Sequence, residues 1–106
     1  MSDGFVYILV CEMYGELSYE NGACDVIMAS KDYDKCLERL KMCLSSDIED
    51  YGFIIEDGIS VDEFLDENKS FIENKRNIYA DIYSSKEDYD NGCSCATYRI
   101  VEKYLY

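Results

Sequence analysis

Between Lys31 and Ser46 the apolar side chains fall at Tyr33, Cys36, Leu37, Leu40, Cys43 and Leu44. Steps of three and four place them in one stripe along a helix. A helix with one apolar stripe must lay it on another layer of structure. Lys31, Asp34, Lys35, Glu38, Arg39 and Lys41 fall on its other side and face water. The flanking runs supply the second layer. Residues 5–13 are dense in Phe, Val, Tyr, Ile and Leu, as suits a strand buried on both faces at the centre of a sheet. Residues 24–29 and 96–106 read as further strands. The stripe therefore commits the chain to an α+β fold, with Ser30 as the helix N-cap and Ser45 and Ser46 as its end.

The remaining segments complete this plan. Asn21-Gly22 turns the first two strands into a hairpin. Residues 51–55 read as a short strand, Asp57-Gly58 as a turn, and Ser60 with Glu63 as a capping box. A second helix starts near Val61, with Val61, Phe64, Leu65, Phe71 and Ile72 on its inner face. Residues 77–84 carry both a heptad-like spacing and a period-two alternation; the Asp90-Asn91-Gly92 turn after them favours a strand that forms a hairpin with the last one. The expected order is β-β-α-β-α-β-β: an antiparallel sheet of four to five strands with one or two helices on one face. At 106 residues this is one domain, 1–106, burying roughly 65 % of the surface of its unfolded chain. An acidic segment, 46–68, separates the β-β-α unit from the C-terminal hairpin.

Charge is the main functional signal. The chain has 23 acids against 10 bases, a net charge of −13. Nine of those acids (Asp47, Glu49, Asp50, Glu56, Asp57, Asp62, Glu63, Asp66 and Glu67) fall in one block without a base. Such a chain repels phosphate backbones and anionic lipid, so neither nucleic acid nor a membrane is its expected direct ligand. A solvated surface is the ordinary meaning of an acidic run. Here Ile48, Phe53, Ile54, Ile55, Phe64 and Leu65 anchor the block, and the self-repulsion of nine fixed charges exceeds what solubility requires. The block, with Tyr51, is therefore the expected partner-binding surface, and the partner a basic nucleic-acid-binding protein or ribonucleoprotein. The 11 Tyr suit such an interface and suit β-structure equally. The alternative is a small intracellular accessory or structural domain whose sheet edge pairs with a second copy or with a partner, which leaves a homodimer open.

Other chemistries find little support. With no His, the usual neutral-pH base and His-containing triads are missing. There is no glycine-rich phosphate loop and no Trp platform for a sugar, so the chain is expected not to be an enzyme and to hold no cofactor. Cys93-Ser94-Cys95, read as one face of a strand, falls short of the four ligands of a zinc site. A calcium loop counted from Asp88 reaches Arg99 at its twelfth position, and one counted from Asp47 reaches Gly58, where a Glu is needed. No metal is expected. Lacking a basic residue ahead of its first apolar run, the chain is expected in the cytoplasm with its six Cys reduced.

Small size, acidity, abundant Tyr and the frame FVYILVCEM, VIMASKDYDKCLERLKMC and TYRIVEKYLY resemble phage-encoded inhibitors of bacterial defence, including anti-CRISPR proteins that mimic nucleic acid. The resemblance is to a class without a common motif and carries no residue over. It implies a viral, non-enzymatic inhibitor of a CRISPR-Cas effector or similar target in the host cytoplasm.

Overall fold

A computed structural model describes residues 4–13 and 24–104, without the side chains of Cys24, Asp25 and Asp57. The elements run β1 (Phe5–Met13), β2 (Cys24–Ser30), α1 (Tyr33–Tyr51), β3 (Ile54–Ile55), a 3-10 turn (Glu56–Gly58), α2 (Val61–Glu67), α3 (Lys69–Glu73), β4 (Ile78–Tyr83), α4 (Lys86–Asp90) and β5 (Ala96–Tyr104). The strands form one antiparallel sheet in the order β2-β1-β5-β4-β3. The α+β class is as expected. The expected turn at Asn21-Gly22 lies outside the described residues, though β1 and β2 do pair antiparallel.

Alternation along the strands decides which residues meet α1. Tyr7 and Leu9 of β1, Ile78, Ala80 and Ile82 of β4, and Ala96, Tyr98 and Ile100 of β5 share one face. They pack with Tyr33, Cys36, Leu40 and Leu44 of the helical stripe, Ile55 of β3 and Phe64 of α2 into one core. Tyr33 stacks edge-on against Tyr7 at 5.2 Å between ring centres.

Several boundaries differ from the sequence reading. Ser30 closes β2, and its hydroxyl accepts from the Asp32 N–H; Asp32 is the N-cap, its carboxylate accepting from the Asp34 N–H at 3.0 Å. Ser45 and Ser46 do not stop α1, because Ile48 extends the apolar stripe one turn past Leu44 and Gly52 ends the helix at φ 67°. The strand expected over 51–55 shrinks to Ile54–Ile55 for the same reason. Among the described residues four helices form where one or two were expected. Asn68 interrupts the second, its side-chain amide donating to the Phe64 carbonyl at 2.9 Å, and Phe71 is left 46 % exposed where an inner-face position was expected. Ser85 caps the extra helix α4 by accepting from the Asp88 N–H. Cys93 and Cys95 precede β5 and do not share a strand face.

Candidate partner-binding surface

The acidic block divides between two helices and the turn that joins them. Glu49, Asp50 and Tyr51 form the last turn of α1, all exposed. Asp62 and Glu63 open α2 and Asp66 and Glu67 close it, again exposed. Glu49 and Asp62 stand on the walls of a groove of about 420 Å³ between α1 and α2, with Ile48, Val61, Lys41, Ser45 and Ser60. Asp50 accepts from the Ser46 hydroxyl at 2.8 Å. Tyr51 is 67 % exposed and its ring stacks on Phe53 at 5.6 Å. Among the described residues the ion pairs are Lys86–Asp90 and Arg99–Glu12, so Glu49, Asp50, Asp62, Asp66 and Glu67 face no base at contact distance.

Other members of the block have different surroundings. Asp47 is half-buried, its carboxylate accepting from the Tyr98 hydroxyl at 2.7 Å. Burial raises its pKa, opposed by the Tyr98 hydrogen bond, while burial and the neighbouring carboxylate together push the Tyr98 phenol up. Glu63 completes the expected capping box: its carboxylate accepts from the Ser60 N–H and hydroxyl, and its own N–H donates to Ser60 Oγ. Glu56 is exposed in the 3-10 turn, and Asp57 follows it there.

The helix termini distinguish these acids energetically. Carboxylates at a helix N-terminus complement its macrodipole, so Asp62 and Glu63 are accounted for by the start of α2. At a C-terminus the sign reverses. The last turn of α1 holds Glu49 and Asp50 and no base; each acid there costs about 0.3–1 kcal/mol at low salt.

The thiols are dispersed. Among the described thiols Cys36 is buried, Cys93 is exposed, and Cys11, Cys43 and Cys95 are half-buried. Burial raises the pKa of Cys36, Cys43 and Cys95, with Arg39 partly offsetting it at Cys43. Among the described residues no three Cys, Asp or Glu side chains converge on a metal position, and no helix is long and apolar enough to cross a membrane.

A second concave surface went unnoticed in the sequence. Phe71, Asn74, Lys75, Arg76, Asn77 and Glu102 line an open depression of about 480 Å³ beyond the end of α3. The adjacent Lys75-Arg76 pair is its only sequence trace. The chain matches no protein-family model, no curated protein and no solved structure.

Proposed function

We propose that the protein is a non-enzymatic inhibitor that docks its acidic, Tyr-containing surface on a basic nucleic-acid-binding partner, such as a CRISPR-Cas effector, in place of nucleic-acid phosphates. The observation that carries this reading is the acidic C-terminal turn of α1. Glu49 and Asp50 stand where the helix disfavours them, exposed and, among the described residues, without a base at ion-pair distance, although Lys41 lines the same groove. Beyond the Ser46–Asp50 hydrogen bond the fold gains little from them, whereas a Lys/Arg channel would engage both. Asp62, Asp66 and Glu67 extend the surface along α2, and Tyr51 offers a rigid aromatic at its margin. Asp47 and Glu63 support it from within, through Tyr98 and the helix cap.

The test is capture of purified basic nucleic-acid-binding proteins, CRISPR effectors included, with competition by their own nucleic acid. Reversal of Glu49, Asp50, Asp62, Asp66 and Glu67 to Lys should abolish capture. Capture that survives the five reversals would refute this site. A second reading rests on β2, a seven-residue edge strand with Val26 60 % exposed, which offers an edge for pairing. Salt separates the two: electrostatic docking weakens steeply from low to high ionic strength, and strand pairing barely responds.

A further inference from the structure

Two helices of this protein end on paired backbone hydrogen bonds around one left-handed residue, the bonds spanning four and six positions at α1 and three and five at α3. At the end of α1 the Gly52 N–H donates to the Ile48 carbonyl (3.1 Å) and the Phe53 N–H to the Asp47 carbonyl (3.0 Å). At the end of α3 the Lys75 N–H donates to Ile72 (3.1 Å) and the Arg76 N–H to Phe71 (2.8 Å). The pattern requires one residue in the left-handed conformation, which a Cβ disfavours and which therefore usually falls to Gly. Gly52, Gly58 and Gly92 follow that rule here; Lys75, at φ 53°, is the one non-glycine among the described residues that does not. Position 75 carries a side chain where the backbone prefers none. It gains no ion pair by it, since the described ion pairs do not include Lys75.

The same cap fixes the neighbours of Lys75. The Arg76–Phe71 bond sets Arg76 beside Phe71, where this motif ordinarily joins two apolar residues. The Arg76 carbonyl accepts from the hydroxyl of Tyr33, which is 1 % exposed, and Asn77 Oδ1 accepts from the Glu102 N–H at 3.3 Å. The backbone of the depression is thus tied to the core and to β5, while Phe71, Lys75 and Arg76 stay exposed. Such a site meets its ligand without first ordering its main chain.

We infer that this depression binds a small phosphorylated nucleoside carrying one phosphate. Lys75 and Arg76 hold the phosphate, the guanidinium offering two parallel donors. The Phe71 ring stacks on the base. Asn77 and Glu102, on the wall of the depression, suit the base edge or sugar hydroxyls; Glu102 also repels further phosphates, and the −13 charge of the chain repels a polynucleotide. The depression, about 480 Å³, is open and lined mostly by polar side chains, so it would hold its ligand at the surface by charge and stacking and not by enclosure. None of the acids of the α1–α2 groove takes part, so this site and the proposed partner surface stand or fall separately.

The experiment is a backbone-amide NMR titration of the full chain with adenosine, guanosine, cytidine and uridine monophosphates, inorganic phosphate and a single-stranded oligonucleotide. Saturable shifts confined to residues 71–77 and 102 are expected with at least one monophosphate, about tenfold tighter than with inorganic phosphate and with no tighter binding of the oligonucleotide. Lys75→Gly restores the residue the cap prefers, so it should melt at a higher temperature while binding at least tenfold more weakly. Phe71→Ala should erase the preference for nucleotide over phosphate. Absence of saturation at millimolar monophosphate, unchanged binding by Lys75→Gly, a retained nucleotide preference in Phe71→Ala, or tighter binding of the oligonucleotide would each overturn the inference.

Discussion

Replacing Tyr98 by Phe removes one oxygen and leaves the ring in the core, so it isolates the bond to Asp47. Tyr98 is 9 % exposed and its hydroxyl sits 2.7 Å from a half-buried carboxylate. A hydrogen bond to a charged group contributes roughly 1.5–3 kcal/mol, and partial exposure of Asp47 places this one near 2 kcal/mol. With an unfolding entropy of about 2.1 cal/mol/K per residue, the melting temperature should fall by about 9 °C for a chain of this length. Asp47→Asn keeps an acceptor without the charge and should stay within about 0.5 kcal/mol of the parent at pH 7; Tyr98→Phe in that background should cost only about 1 kcal/mol, the value of a neutral bond. The pH dependence follows from the raised pKa of Asp47. Between the unfolded value near 3.8 and the higher folded one, the folded state keeps a proton that the unfolded state has lost, so this group's contribution to stability falls as pH rises through that window. Tyr98→Phe removes the bond that opposes the upward shift, so the window should widen at its upper edge; Asp47→Asn should remove it. Urea melts followed by circular dichroism from pH 4 to 8 measure all four proteins. Equal costs of Tyr98→Phe in the two backgrounds would refute the coupling.

Two further outcomes follow from local geometry. Ser60→Ala breaks both arms of the α2 capping box and should cost about 1 kcal/mol by urea denaturation, while Ser45→Ala, a mid-helix position, should cost a few tenths at most. Among the described thiols Cys93 should react first and Cys36 last in a native titration, since Cys36 is buried and burial holds its pKa up; six reactive thiols should count in denaturant, and a count near zero would contradict the reduced state.

What the sequence disclosed depended on how local each signal was. The stripe from Tyr33 to Leu44, the Ser60–Glu63 box and the alternation of residues 78–83 are written within a few positions, and each element formed where the spacing put it. The end of α1 was misplaced because Ser45 and Ser46 look like a stop locally, whereas Ile48 packs one turn further along the core. The Asp47–Tyr98 bond joins residues 51 positions apart, and only the pairing of β5 between β1 and β4 turns Tyr98 toward α1. That pairing register has no signature in either residue. Lys75 was invisible for the opposite reason: the cap it occupies is ordinarily announced by Gly. Phe71 was misassigned because the heptad spacing continued on paper past the break at Asn68.

The placement of β5 has a consequence for how the molecule is made. The last strand in sequence lies between β1 and β4, with Phe5 opposite Tyr104. Until β5 arrives, β1 and β4 each present an unpaired edge, and nearly the whole chain must be enclosed as a loop before the sheet can close. Such long-range closure slows folding, toward milliseconds to seconds where non-local strand pairing dominates. Open edges over that interval invite copies of the chain to pair with one another. Mutual repulsion between chains of charge −13 opposes those encounters from the moment of synthesis. The acidity of this protein thus guards its assembly as well as shaping the surface of the finished fold.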